Sequence, residues 1–300
     1  MTHRELWKMI FGDTDRYIDF YFQERAARSA VYSKYAEDEL VSMAFFTPYE
    51  VVYRGRECIC PCIVGVATSP AHRHRGYMRG LLEQGLAEAQ ARGCPAAYLC
   101  PADEKIYEPL GFEGVQYRVA INVSEDVLKS DGGRKQESGL GWGGFTAQPF
   151  CLLEPDGKEE AAAFAAGRLR EASFDFYRKR DVFYYEALQK EMAALDGEVL
   201  VVWEESRMRG VVSYIYENGS YEVTETVCEV RDGRRVFDAV CRYLGRRGQV
   251  PAVFSDGVFL DLVSGPGIVR EREKRPYTML RNLTGGEPEQ GLRVYINDIT

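Results

Sequence analysis

Residues 66–80 read Val66-Ala67-Thr68-Ser69-Pro70-Ala71-His72-Arg73-His74-Arg75-Gly76-Tyr77-Met78-Arg79-Gly80. The apolar and β-branched run from Cys60 to Thr68 predicts a strand closed by Ser69-Pro70. From Met78 onward, Met78, Leu81, Leu82, Gly85, Leu86 and Ala89 recur at helical spacing, and Arg92-Gly93 with Pro95 beyond ends the pattern. Two arginines, two histidines and a glycine fill the joint. The first turn of a helix presents unpaired N–H groups and the positive end of its dipole, so a strand, basic loop and helix in this order form an anion site by construction. Gly76 lets main chain approach a phosphate closely, and Arg73 and Arg75 can add charge-assisted hydrogen bonds.

Working outward, Tyr17, Ile18, Tyr21 and Phe22 place an amphipathic helix within Thr14–Arg28. Leu40–Phe46, Val51–Tyr53 and Cys60–Thr68 predict an antiparallel meander, interrupted at Thr47-Pro48 and Arg54-Gly55-Arg56. Downstream, Ala96–Cys100 predicts a short buried strand, Asp103–Leu110 a short helix and Phe112–Val123 an extended run. Residues 129–144 are rich in Gly and charge and read as a linker. Beyond it, helical stretches within 159–193, strands at Glu198–Trp203, Gly210–Tyr216 and Tyr221–Cys228, and a helix bearing Val236, Phe237, Val240, Cys241 and Leu244 repeat the first plan at an offset of about 160 residues. A duplicated fold follows, with domains at 1–128 and 145–283 and a tail at 284–300. In that tail Leu292, Val294 and Ile296 alternate with polar residues, as in a half-buried strand.

Composition limits the class. The chain has 300 residues, 45% hydrophobic and 28% charged, enough for a sizeable core. With 46 acidic against 38 basic side chains its net charge is −8, which disfavours nucleic acid as a partner. Charge runs through the N-terminal residues, and no apolar run approaches the ~20 residues of a membrane span, so the expected setting is cytoplasmic, without membrane attachment. Eight cysteines suit a reducing compartment. Cys58, Cys60 and Cys62 alternate along a strand but lack a fourth ligand, and they read as small buried thiols; no metal site is expected.

Tyr107 follows Gly76 by 31 residues, within Ile106-Tyr107-Glu108-Pro109-Leu110-Gly111-Phe112. With the loop at 73–79 this stretch resembles the GCN5-related N-acetyltransferases (GNAT), in which a pyrophosphate loop and helix precede a strand and a short helix ending in Tyr-x-x-x-Gly-Phe. The order fits throughout residues 40–120; Met78 departs from the small residue usual at its position. The loop Pro70–Gly76 narrows the resemblance to the Eis type, tandem acetyltransferases whose further sterol-carrier-like domain has no counterpart here. The implied fold is α/β (α+β), with tandem GNAT acyl-CoA N-acyltransferase domains of mixed, mostly antiparallel sheets flanked by helices.

The resemblance implies acetyl-CoA as co-substrate. Val66, Ala67 and Thr68 would hold its acetyl and pantetheine portions, with a main-chain N–H polarising the thioester carbonyl. Arg73, His74, Arg75, Gly76, Tyr77, Met78 and Arg79 would cradle the pyrophosphate, and Ala102 and Asp103 would line the opening of the next strand. Tyr107 would protonate the departing thiolate, a task suited to a phenol of ordinary pKa about 10. The Thr300 carboxylate is the implied base; a water relay, Glu50 or Asp298 are the alternatives. The second half has an aspartate in Arg231-Asp232-Gly233 and lacks the tyrosine motif, so a single cofactor site is expected.

Acetylation needs a primary amine: a small cationic molecule of aminoglycoside or polyamine type, or a protein lysine. Glu37-Asp38-Glu39 and Asp13, Asp15 and Asp19 read either as an attraction for such cations or as solvated surface. Tyr17, Phe20 and Tyr21 read as pocket lining or as core. A non-catalytic acyl-CoA sensor is the alternative function, and assembly into a homo-oligomer is a further expectation of the resemblance.

Overall fold

The computed structural model describes residues 1–129, 144–248, 250–255, 258–285 and 291–297. Helix α1 (His3–Phe11) starts in a reciprocal cap between Thr2 and Glu5 and stops at left-handed Gly12; α2 (Asp15–Phe20) continues into a π-helical turn at Tyr21–Arg25. Then come β1 (Ala30–Ala36), β2 (Glu39–Tyr53), β3 (Arg56–Thr68), α3 (Tyr77–Ala91), β4 (Ala96–Leu99), α4 (Glu104–Tyr107) and β5 (Glu113–Gln116). They are followed by β6 (Val119–Val123), α5 (Glu125–Lys129), β7 (Phe145–Pro149), α6 (Pro155–Glu171), β8 (Phe176–Arg178), α7 (Val182–Ala194), β9 (Glu198–Glu204), β10 (Arg207–Glu217) and β11 (Ser220–Cys228). The last elements are α8 (Gly233–Arg247), β12 (Ala252–Phe254), β13 (Ile268–Arg272), β14 (Thr278–Asn282) and β15 (Val294–Tyr295).

These elements form two compact units, each built on a mixed sheet flanked by helices. The first holds Met1–Tyr117, Phe174–Lys179 and the chain from Lys274; the second holds Arg118–Ser173 and Arg180–Glu273. The contiguous boundaries expected at 128, 145 and 283 therefore differ from the observed packing. β6 and α5 belong to the second unit, while β8, β14 and β15 return to the first sheet, because each short strand pairs where an open edge accepts its backbone. The expected linker lies, apart from its end residues, outside the described residues. No helix among the described residues is long and apolar enough to cross a membrane.

In the first sheet the order is β15-β8-β2-β3-β4-β14-β5, with β1 also on β2; in the second it is β13-β6-β12-β11-β10-β9-β7. The three-piece meander expected from the sequence is corrected here: β2 runs unbroken through Thr47-Pro48, and β1 was not foreseen. Pro48 faces Pro61 across the β2–β3 pair, and on its other side it falls between Phe46, the last β2 residue paired with β1, and Val51, the first paired with β8. No neighbouring strand asks for its missing N–H. The core between α3 and the sheet gathers Phe46, Ile63, Leu82, Leu86, Leu99 and Phe112, while Trp7, Tyr21 and Phe45 stack on the opposite face.

Candidate functional site

β3 and β4 run parallel but share a single registered pair, Cys62 with Tyr98. Beyond it the strands part. A bulge accompanies the parting: between the pairs Met43–Ala67 and Phe45–Val64, Ala44 alone on β2 stands opposite Gly65 and Val66 on β3. Gly65 sits in that bulge at φ +61°, and a Cβ there would collide with the Trp7 ring. An extra residue in a strand leaves main-chain groups outside the ladder, and this one lies beside Val66 and Ala67. Ser42, fully buried on β2, holds the far end of β3, donating to the Ala67 carbonyl at 3.0 Å and meeting the Thr68 hydroxyl at 2.9 Å.

After Thr68 the chain makes a short turn at Pro70–His72, and Arg73 folds back to donate from Nε to the Thr68 carbonyl at 3.3 Å. His74 and Gly76 both adopt the left-handed region, at φ +62° and +78°, which aims the loop into the first turn of α3. Gly76 has open space within 4 Å of where a Cβ would stand, and the first-turn amides of Tyr77, Met78 and Arg79 face no preceding helical carbonyls. This open, cationic helix start fits a pyrophosphate. Met78 packs against the α3 core, which removes the crowding its size suggested. Lys34 of β1, unremarked in the sequence, places Nζ 5.6 Å from the Tyr77 ring centre and adds a further cation.

Tyr107 closes α4, beyond the end of β4. Its ring is buried against Phe112 at 6.1 Å, and burial pushes its pKa up to about 12. Ala102 is exposed at the loop before α4, and the Asp103 carboxylate caps that helix, accepting the Lys105 N–H at 3.1 Å.

Other expected residues are placed differently. Glu50 pairs with Ile59, nine residues before Thr68, and binds Lys179 at 3.2 Å. A strand rise of ~3.3 Å per residue puts it roughly 30 Å from the pyrophosphate loop. Asp13 accepts from the Trp7 indole at 2.7 Å, Asp15 pairs with Lys8 at 2.9 Å and Asp19 pairs with Arg4, so these carboxylates brace α1. Glu37 and Asp38 form the left-handed β1–β2 turn, and Tyr17 and Tyr21 are core. Thr300 and Asp298 lie outside the described residues. Cys60 and Cys62 are buried strand thiols, Cys58 is half-buried, and burial raises the pKa of Cys58 and Cys60. No cluster of three metal-ligating side chains occurs among the described residues.

The matching helix start in the second unit is closed. At Gly233 a Cβ would collide with the Phe259 carbonyl oxygen, and Asp232 stands just before it. Main chain and a carboxylate occupy the place that an anion would take at Gly76.

Residues 3–115 match the family model described as Acetyltransferase (GNAT) domain, and the resemblance to the GCN5-related N-acetyltransferases expected from the sequence is borne out over that part of the chain. Two curated relatives from Streptomyces griseus, an uncharacterized N-acetyltransferase and an uncharacterized N-acetyltransferase ORF5, are each 33% identical over 92 residues. The match covers 28% of this chain and only 22% of either relative.

Among solved structures, a probable N-acyltransferase of Enterococcus faecalis V583, itself a conserved protein of unknown function, is similar at TM-score 0.70 and 18% identity over 94% of this chain and 69% of its own. A GCN5-related N-acetyltransferase of Kribbella flavida gives 0.62 at 19% identity, over 93% and 67%. Eis1 of Mycobacterium abscessus gives 0.56 at 15%, over 94% and 70%. At these identities the likeness is one of fold, and it agrees with the tandem α+β architecture expected from the sequence.

Proposed function

We propose that this chain transfers an acetyl group from acetyl-CoA to the primary amine of a small cationic molecule, of polyamine or aminoglycoside type, or of a lysine side chain. The end of the β3–β4 pairing at Cys62 and Tyr98 carries the reading, because the bulge at Gly65 follows it on one strand and the helix bearing Tyr107 follows it on the other. When bound, acetyl-CoA supplies an acyl group activated as a thioester. Main-chain N–H groups near Val66 polarise its carbonyl, and Arg73, Arg75 and the first turn of α3 hold its phosphates. Tyr107 keeps its proton throughout the neutral range and gives it to the departing sulfur as the C–S bond breaks and the N–C bond forms, while the proton shed by the amine nitrogen passes to water, from which Tyr107 is reprotonated. The net charge of −8 favours the approach of a cationic acceptor. A cytoplasmic setting, where acetyl-CoA is made and used, belongs to the same reading.

The test is a panel of polyamines, aminoglycosides and lysine peptides with acetyl-CoA, following release of free thiol. Turnover of a cationic amine is the expected result. Acetyl-CoA binding with no turnover anywhere in the panel would assign a sensor instead, and absence of acetyl-CoA binding would overturn both readings.

A further inference from the structure

Asn297 follows β15 and is only 5% exposed, yet among the described residues neither its Nδ2 nor its Oδ1 has a hydrogen-bond partner. Its surroundings do not share that shortage. Gln116 donates from Nε2 to the Ile296 carbonyl at 3.0 Å, and its Oε1 accepts both the Ile296 N–H at 3.1 Å and the Thr278 hydroxyl at 2.8 Å. The residue before Asn297 is thus fixed by two buried hydrogen bonds to a side chain that Thr278 holds in turn. A buried primary amide with nothing to bind is costly, and a fold that satisfies the adjacent amide completely could have placed an apolar residue here.

Its location gives the amide a use. β15 runs parallel to β8, which lies antiparallel to β2, so its C-terminal end points the same way as those of β3 and β4. Thr278 of β14 precedes Met279, the partner of Leu99, and so stands level with Cys100 at the open end of β4. Gln116 faces Thr278 on the next strand and reaches the tail from there. Asn297 stands two residues beyond Tyr295, the partner of Tyr177, where the Gln116 side chain draws the tail toward Thr278 and the C-terminal end of β4.

We propose that the Asn297 amide binds the acceptor amine, Oδ1 accepting one amine N–H so that the nitrogen lone pair is left for the thioester, and Nδ2 donating to an oxygen of the acceptor or of the incoming acyl group. The inference rests on the acetyl-transfer reading above. Asn297 orients the nucleophile and takes no proton, since a carboxamide does not titrate in the working range.

The test is Asn297→Leu, which keeps the branched side-chain skeleton with methyls in place of the amide atoms, assayed with the amine that the wild-type chain turns over fastest in the panel and with spermidine as the fixed probe for calorimetry. The expected result is a rise in amine KM of about fivefold or more, weaker amine binding, an acetyl-CoA KM within twofold of wild type, and a Tm unchanged or raised because a costly buried amide is gone. Equal amine KM in both proteins, with the raised Tm, would overturn the inference and leave acetyl transfer intact. Absence of both turnover and amine binding in the wild-type chain would overturn acetyl transfer and this inference together. Should the leucine variant fail to fold, Asn297→Ala, which adds no bulk, is read by the same criteria.

Discussion

Gln116 holds Ile296 through both of its main-chain groups, 180 positions away in sequence, and bonds Thr278 with the same carbonyl oxygen. β15 borders β8 at one end of the strand order and β5 stands at the other, so this side chain ties the two ends of the first sheet together. Gln116→Leu removes a buried donor and acceptor and leaves Ile296 and Thr278 unsatisfied. We expect a loss of about 2–4 kcal/mol in unfolding free energy, on the scale of about 1–3 kcal/mol for each stranded polar group. A denaturant titration with unchanged stability would show that water replaces the clasp.

Tyr107 separates binding from chemistry. Tyr107→Phe keeps the ring that packs on Phe112 and deletes the proton donor, so kcat should fall by about 10² or more while acetyl-CoA affinity stays within about threefold. The raised pKa also fixes a pH limit. Tyr107 and Tyr32 both hold their protons up to about 12 in the folded chain, against about 10 for a free phenol. Their contribution to stability is complete below about pH 10 and is lost as pH rises through about 12. Alkaline melting curves should show a smaller loss for the Tyr107→Phe chain than for wild type.

Gly76 tests the loop by conformation alone. Nothing lies within 4 Å of its absent Cβ, so a side chain there meets no wall, but φ +78° costs a β-branched residue about 1–2 kcal/mol or more. Gly76→Val should weaken acetyl-CoA binding at least about tenfold by turning the loop away from α3, and Gly76→Asn, which tolerates the left-handed region, should weaken it less. Equal losses in the two variants, measured by calorimetry, would point to bulk rather than backbone angle.

Much of this site was legible because its signals are local. The run from Val66 to Gly80 carries strand end, cationic loop and helix start in consecutive residues, and Tyr107 follows within one strand and one short helix. Isolated Gly65 inside Cys62-Ile63-Val64-Gly65-Val66 could have announced the bulge, since a lone glycine in a strand commonly marks one. The cap pair Thr2 and Glu5 with Gly12 likewise delimits α1. Non-local pairings were not legible. Pro48 reads as a strand break until β1 and β8 are seen to leave a gap beside it, and no local pattern shows that Phe176, Thr278 or Val294 will pair with the first sheet. The clusters at Asp13, Asp15 and Asp19 looked available for the same reason. Their partners, Trp7, Lys8 and Arg4, lie on a helix that had not been recognised.

Lys34 was hidden by that same non-locality, and it offers a test of what the cationic loop recognises. It reaches the start of α3 from β1, where Lys34 faces Ser42 and Ser42 in turn faces Thr68, so three adjacent strands bring a cation, a buried hydroxyl and the end of β3 into one row. If the row reads phosphate charge, Lys34→Ala should raise the KM for acetyl-CoA by about three- to tenfold, the scale of one partly screened surface charge, and leave kcat unchanged. The effect should shrink as ionic strength rises past about 0.15 M, where the Debye length is about 8 Å. Acetyl-pantetheine carries the thioester without the nucleotide phosphates, and its kcat/KM should be the same for both chains. An equal loss with acetyl-pantetheine would show that Lys34 acts on the strand end through Ser42 and Thr68 rather than on phosphate. Lys34→Arg, which keeps the charge on a longer side chain, should then fail to restore activity, whereas recognition of charge predicts that it recovers most of the acetyl-CoA affinity.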